Sequence, residues 1–296
     1  MLQIAIIGFG NVGKRAFDAV RQAPDMALAR IVEAPGVAPA PGLEHLWTDD
    51  INHMEGGVDA AILCLPSRLC PDTAEALLGR GVHTVDAYDI HGDIWGVKSR
   101  LDIAAKASGA VGVVAAGWDP GTDSVQRALM EAMAPRGITF TDFGPGMSMG
   151  HSVAARAVPG VRDALSMTIP VGAGVHNRVV YVQLEPGADF SCVEKAIQSD
   201  EYFAHDNTHV RRVDDVSALL DVGHGVRITR KGVAGATHNQ LLEYTMRING
   251  PAVTAQVMVS AARAAAKRAP GCYTLIELPP IDLLPGEPRE LINRLV

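Results

Sequence analysis

Residues 2–13 read Leu-Gln-Ile-Ala-Ile-Ile-Gly-Phe-Gly-Asn-Val-Gly, and this stretch decides the fold. Leu2 to Ile7 is a short apolar run with strand character. Gly8, Gly10 and Gly13 follow at GxGxxG spacing, and from Val12 through Val20 the pattern turns helical. The order is strand, tight loop, helix. In that context the first glycine permits the turn, the second lets backbone approach a pyrophosphate, and the third lets helix pack on strand. The helix N-terminus then offers unpaired N–H groups to an anion. Gly8, Gly10, Asn11, Val12 and Gly13 are therefore candidate dinucleotide-binding residues. A second strand, Ala27 to Val32, ends at Glu33 and closes a βαβ unit of about the expected ~30 residues. An acid there accepts hydrogen bonds from the adenosine ribose hydroxyls and repels a 2′-phosphate, which on residue chemistry favours NAD. Arg68, beyond the next strand, is the candidate for a compensating charge.

Working outward, the alternation repeats. Strands are predicted over Asp59 to Leu65, Val82 to Val85 and Val111 to Ala115, with helices over Pro71 to Arg80 and Ile94 to Ser108. This is an α/β pattern, a doubly wound parallel sheet of Rossmann type. The rhythm changes after Trp118-Asp119-Pro120-Gly121. A helix over Asp123 to Met133 precedes strand-like segments at Ile138 to Asp142, Ala164 to Ile169, Arg178 to Leu184, Val226 to Arg230 and Leu242 to Ile248. A helix falls near Phe190 to Ser199, and few others separate these strands, so a second α+β domain with a mixed or antiparallel sheet is predicted. Residues 1–120, completed by about 250–296 with a helix from Pro251 to Lys267 and a Pro-rich tail, form the predicted dinucleotide domain; 121–249 form the other.

The length of 296 residues suits two domains at ~150 residues each. With 26 basic against 33 acidic residues the net charge is −7, and no Lys/Arg run of five occurs, so nucleic acid is not a predicted partner. The most apolar stretch, Pro251 to Ala266, is broken by Thr254, Gln256, Ser260 and Arg263 and is short of the ~20 residues a membrane span needs. No membrane association is predicted, and the absence of a charged leader before Leu2 reads as a cytoplasmic protein. Four scattered cysteines without a CxxC pair indicate neither a disulfide framework nor a zinc site.

Three segments stand at or beyond predicted strand ends: 86–93 (DAYDIHGD), 116–123 (AGWDPGTD) and 143–152 (FGPGMSMGHS). Ligands of open α/β sheets bind outside the carboxyl ends of the strands, and acidic side chains there can hold an ammonium group. Together with GFGNVG (8–13), DALSMTIP (163–170), DVGHGV (221–226), KGVAGATHNQ (231–240) and RINGPAVTAQVM (247–258), these words resemble the meso-diaminopimelate dehydrogenase family through nearly the whole chain.

The resemblance implies a homodimeric, NADP-dependent oxidoreductase of lysine and peptidoglycan precursor metabolism. Such an enzyme reversibly deaminates the D-centre of meso-2,6-diaminopimelate to L-2-amino-6-oxopimelate and ammonia. It implies that residues 121–249 bind substrate and dimerise. It also implies that Asp89 and Asp119 hold the reacting ammonium and handle its proton, with Trp118 and Phe143 shaping that end of the pocket and Met149 and Gly150 lining it. Thr168, Arg178 and His224 would bind the distal amino-acid head, with Asn249 assisting; Gly250 stands where some relatives carry a second asparagine. The family pattern places arginines after the second strand, whereas this chain has Glu33-Ala34-Pro35, so NADP is the expected cofactor and NAD acceptance is open. Alternatives are a broader D-amino-acid dehydrogenase and a non-catalytic dinucleotide sensor.

Other constellations read as structural. Gly150-His151-Ser152-Val153-Ala154 has a superficial likeness to a GxSxG elbow but lacks a good preceding strand. His205 and His209 lie in a stretch read as a polar loop, with no HExxH. Asp86 and Asp93 flank Asp89 as a possible Mg²⁺ cluster, but bonding to turn N–H groups is the commoner fate of such residues. No metal is predicted.

Overall fold

In the computed structural model, which describes residues 1–53, 57–219 and 223–296, the chain divides into two units, Met1–Val125 with Pro251–Val296, and Gln126–Gly250. Asp221 and Val222 of the DVGHGV stretch lie outside the described residues.

The opening run forms β1 (Leu2–Ile7), the glycine loop leads into α1 (Asn11–Gln22), and β2 (Met26–Val32) follows. Next come β3 (Trp47–Thr48), β4 (Ala60–Leu63), α2 (Cys70–Leu78), β5 (His83–Asp86), α3 (Ile94–Ser108), β6 (Val111–Val113) and α4 (Thr122–Met133), along which the first unit gives way to the second. The second unit holds β7 (Arg136–Phe143), β8 (Gly146–Ser148), α5 (Met149–Arg156), β9 (Val161–Gly172), β10 (Val175–Leu184), α6 (Phe190–Ser199), β11 (Asn207–Arg212), β12 (Gly223–Ala234) and β13 (Thr237–Asn249). The chain then runs through α7 (Gly250–Ala265), β14 (Gly271–Tyr273) and α8 (Pro288–Leu295).

In the first unit, seven strands pair in the order β14-β6-β5-β4-β1-β2-β3, and every pairing is parallel. A parallel sheet is covered on both faces, so its strands are apolar at every position rather than at alternate ones. Thus Ile4 and Ile6 of β1 join a core with Ala16 and Val20 of α1 and Met258 and Ala262 of α7. Ala5 and Ile7 point the other way, against Ala74 and Leu77 of α2 and Leu101 of α3. Burial of each large side chain contributes about 1.5–3 kcal/mol. The strand order reverses between β1 and β4, which is the switch point where such sheets take ligands.

The second unit is mixed, as its sequence suggests, but its strands sort into two sheets. One is β11-β10-β9-β8, with β10 and β11 parallel and the rest antiparallel; the other is an antiparallel β13-β12-β7. Helices α5 and α6 cover the four-stranded sheet through Ala154, Ala155, Val193 and Ile197, which pack on Ala164, Val180, Val182 and Val210. Asp189 caps α6 by accepting the Ser191 N–H at 2.7 Å.

Several segments differ from the sequence reading. The stretch 207–212 is strand β11 rather than part of a polar loop, with Thr208 and Val210 buried while Asn207, His209 and Arg211 are exposed. Its period of two is short and polar on one face, so composition hid it. Residues 149–156 form α5, and the Pro-rich tail supplies β14 to the sheet and α8, whose Pro288 sits at the helix start where no N–H is needed.

Candidate functional site

In the first unit the glycine loop is set by close contacts. Gly8 adopts φ +89°, and a Cβ there would lie 2.7 Å from the Cys64 carbonyl oxygen; a Cβ on Gly13 would lie 2.1 Å from the Gly8 oxygen. Both positions exclude a side chain. A Cβ on Gly10 would meet nothing within 4 Å, and Gly10 precedes the twelve-residue α1 without a side-chain cap. Asn11 is exposed and Val12 half-buried at the start of that helix. Open space in front of uncapped helix N–H groups fits a dinucleotide pyrophosphate. Glu33, just past β2, closes on this loop: its carboxylate accepts the Phe9 N–H at 2.6 Å and the Ala34 N–H at 2.9 Å. The acid therefore stands beside the loop, in the place where ribose hydroxyls are read. Arg68 is exposed on the 3-10 turn Ser67–Leu69 after β4.

Two acidic turns follow the adjacent parallel strands β5 and β6. Asp89 is half-buried, and Ser67 fixes it by donating its hydroxyl to Oδ1 at 2.6 Å and accepting the Asp89 N–H at 3.2 Å. After β6, Gly117 donates to the Pro120 carbonyl at 3.2 Å and receives the Thr122 N–H at 3.2 Å, while Asp123 N–H reaches the Trp118 carbonyl at 3.1 Å. This knot places half-buried Asp119 next to buried Trp118. Asp86, at the end of β5, is 1% exposed and accepts the Tyr88 N–H at 2.9 Å and the Ala115 N–H at 3.2 Å. It is a turn anchor. Burial pushes its carboxyl up to about 6, against those two bonds.

The second unit assembles a different cluster. Thr168 on β9 and Arg178 on β10 are direct cross-strand partners, and the guanidinium donates Nη1–H to Thr168 Oγ1 at 2.8 Å. Arg178 Nε–H bonds the carboxylate of Asp206, with the arginine side chain only 12% exposed. Two residues earlier on the same face of β10, His176 Nε2 accepts the Phe143 N–H at 2.6 Å, and its ring lies against the Phe143 ring, centroids 5.5 Å apart. Desolvation, with the Arg178 charge next, lowers the His176 pKa, in keeping with an acceptor nitrogen that must stay unprotonated. Phe143 ends β7, and Gly144 N–H donates to Gly225 O at 2.9 Å, beside His224 at the start of β12. Thr168 also pairs with Gly146 of β8, after which Met149 and Gly150 open α5.

Thr168, Arg178, Phe143 and His224 are thus tied by register and by neighbouring bonds. Asn249 is exposed at the end of β13, opposite Gly223. Asp206, His176 and Ser67 escaped the sequence reading. The signal for His176 is its strand parity with Arg178; Asp206 and Ser67 lie in turns whose partners are distant in sequence.

The GxSxG-like stretch resolves structurally. Ser152 is buried, donating to Ser148 O at 2.6 Å and accepting the Ser166 N–H at 2.9 Å. Among the described residues no group of three His, Cys, Asp or Glu side chains assembles for a metal, and no helix is long and apolar enough to cross a membrane.

Comparison with known proteins extends this geometry. Residues 117–175 match the diaminopimelic acid dehydrogenase C-terminal domain. The chain is 52% identical over 297 residues to the meso-diaminopimelate D-dehydrogenase of Bacteroides fragilis, covering 100% of this chain and 99% of the relative. Among solved structures, an engineered D-amino acid dehydrogenase bound to NADP+ superposes with a TM-score of 0.91 at 28% identity, over 100% of this chain and 99% of that one. The C. glutamicum DAP dehydrogenase in complex with DAP gives a TM-score of 0.87 at 28% identity, with 100% and 99% covered. Fold and loop define a Rossmann-type oxidoreductase carrying a second, mixed-sheet unit. The chain belongs to the meso-diaminopimelate D-dehydrogenase family.

Proposed function

We propose that this chain catalyses the reversible, NADP-dependent oxidative deamination of the D-centre of meso-2,6-diaminopimelate to L-2-amino-6-oxopimelate and ammonia. The observation that carries the reading is the pair of acidic turns bearing Asp89 and Asp119, on adjacent strand ends of a sheet whose glycine loop suits a dinucleotide. A bound nicotinamide supplies the hydride acceptor. The remaining work belongs to the chain. Asp89 and Asp119 orient the substrate ammonium and accept its proton, directly or through an ordered water, and Trp118 walls the reacting end against solvent. In the second unit the family resemblance makes Phe143, Met149 and Gly150 substrate contacts. Arg178 takes the distal carboxylate with two parallel bonds while Asp206 keeps the guanidinium oriented; Thr168, His224 and Asn249 add polar contacts.

Gly8, Gly10, Asn11, Val12 and Gly13 hold the pyrophosphate, with Arg68 as the candidate phosphate contact. The position of Glu33 on the Phe9 amide favours a second reading, that NAD is also accepted. Homodimerisation is carried over from the family resemblance. Four free cysteines suit the reducing cytoplasm. The test is absorbance at the reduced-nicotinamide band with meso-diaminopimelate or simple D-amino acids and either cofactor. Activity on meso-diaminopimelate with NADP+ supports the proposal; no turnover with any pair rejects it.

A further inference from the structure

We infer that Asp86 is a positioning residue for the reaction, a buried carboxylate that locks the Asp89 turn to the Asp119 turn. This rests on the reading that those two acids handle the substrate ammonium. Asp86 ends β5, and one of its oxygens, Oδ1, accepts N–H bonds from two segments: Tyr88 at 2.9 Å, one residue before Asp89, and Ala115 at 3.2 Å, four residues before Asp119. Its main-chain oxygen accepts a third, the Ala116 N–H at 2.7 Å. Ala115 sits at φ +56°, a left-handed conformation uncommon for a residue with a Cβ, and the Asp86 bond holds it there.

The surroundings are apolar. Tyr88, Val114 and Ala115 pack in one core with Cys70 of α2 and Cys272 of β14. Among the described residues, the Cys70 and Cys272 thiols interact with Asp86, the first also with Asp89 and Cys64, the second with Lys98 and Asp102 of α3. Burial raises both thiols, Cys272 to about 12, so they stay neutral. With its own value near 6, Asp86 binds a proton more readily folded than unfolded, so its ionisation lowers stability as pH rises from about 4 through 6. An asparagine would make the same two bonds without that cost. What the charge adds is stronger, charge-assisted bonds to both turns, which is what holding a substrate carbon in line for hydride transfer requires.

The test compares Asp86→Asn and Asp86→Ala in the full chain. With meso-diaminopimelate and NADP+, kcat should fall ~10-fold for Asn and ~100-fold for Ala, the scale of a misplacement near 1 Å. The KM for NADP+ should stay within about twofold, and the Asn variant should melt higher than wild type near pH 8. Unchanged kcat in both variants overturns the inference. Asp89→Asn and Asp119→Asn run alongside. If these lose turnover while both Asp86 variants keep it, this inference alone fails; if these keep turnover, the reading of the site fails with it. Should the Asp86 variants not fold, the wild-type Tyr88 and Ala115 amide resonances decide. One shared titration midpoint near 6 is expected, and separate or absent titrations overturn it.

Discussion

The two candidate clusters are built on opposite principles. In the first unit, acidic side chains ride on tight turns at the ends of buried parallel strands, and their placement is set mainly by bonds from backbone N–H groups, with the Ser67 hydroxyl on Asp89 besides: Ser67 to Asp89, the Gly117–Thr122 knot around Asp119, and Asp86 beneath both. In the second, Thr168, Arg178 and His176 project from an antiparallel ladder, and placement is set by side chains bonding one another across it, Asp206 included. Turn-built groups are fixed by bonds among neighbouring strand-end turns and tolerate little movement. Ladder-built groups are fixed by pairing and can exchange partners when a charged ligand arrives. The first arrangement suits chemistry, and the second suits recognition.

That contrast can be broken by substitution. Asp119→Ala should lower kcat by ~10²- to 10⁴-fold, the range for loss of a proton-handling group, with a modest change in KM; wild-type turnover would remove Asp119 from the mechanism. Arg178→Ala should act mainly on KM for meso-diaminopimelate, by about 2–3 kcal/mol or ~30- to 150-fold. An unchanged KM would reject its role and blur the division between the units. Asp206→Asn should raise the same KM several-fold, with kcat within about twofold, because Arg178 loses its ionic partner but keeps Thr168; a large kcat loss would place Asp206 in the chemistry instead. Glu33→Gln should shift the ratio of kcat/KM toward NADP over NAD by ~5-fold, the scale of one partly screened charge, and no shift would leave Glu33 as a loop anchor only.

The smallest effect concerns pH and stability. His83 and His176 have lowered pKa values, chiefly through desolvation, and each accepts a backbone N–H, from Val111 at 3.0 Å and Phe143 at 2.6 Å. Unfolded, each binds a proton more readily than folded. Their contribution is therefore complete above the ordinary histidine value of 6.5 and falls away as pH drops below it toward the lowered folded values. Thermal melts of wild type and His176→Gln across that window should show a shallower acid loss in the variant; identical slopes would mean the Phe143 bond is not proton-sensitive.

Legibility followed the same divide. Helix Ile94–Ser108 was readable to the residue and the helix near Phe190–Ser199 closely, because apolar residues and flanking breakers coincide there. The places of Gly8, Gly13 and Glu33 were readable because turn chemistry and strand ends are local, whereas Asp89 and Asp119 were singled out within their strand-end segments by the family resemblance. Strand β11 was not, since only Thr208 and Val210 of its six residues are buried. Asp206 was invisible for a related reason: its partner Arg178 lies 28 residues away, and only the parallel pairing of β10 with β11 brings them together.

The sequence by itself determined the βαβ opening, the glycine loop, the acidic turns and, through its long shared words, the family. These depend on backbone sterics and on residues close along the chain. The tertiary structure alone decided that the second unit's strands form two sheets, that Glu33 closes on the Phe9 amide, that Asp206 meets Arg178, and that one buried carboxylate joins the turns of Asp89 and Asp119. Each of those is a pairing between distant segments, selected by burial and hydrogen-bond satisfaction in the packed state, and none is written in local pattern.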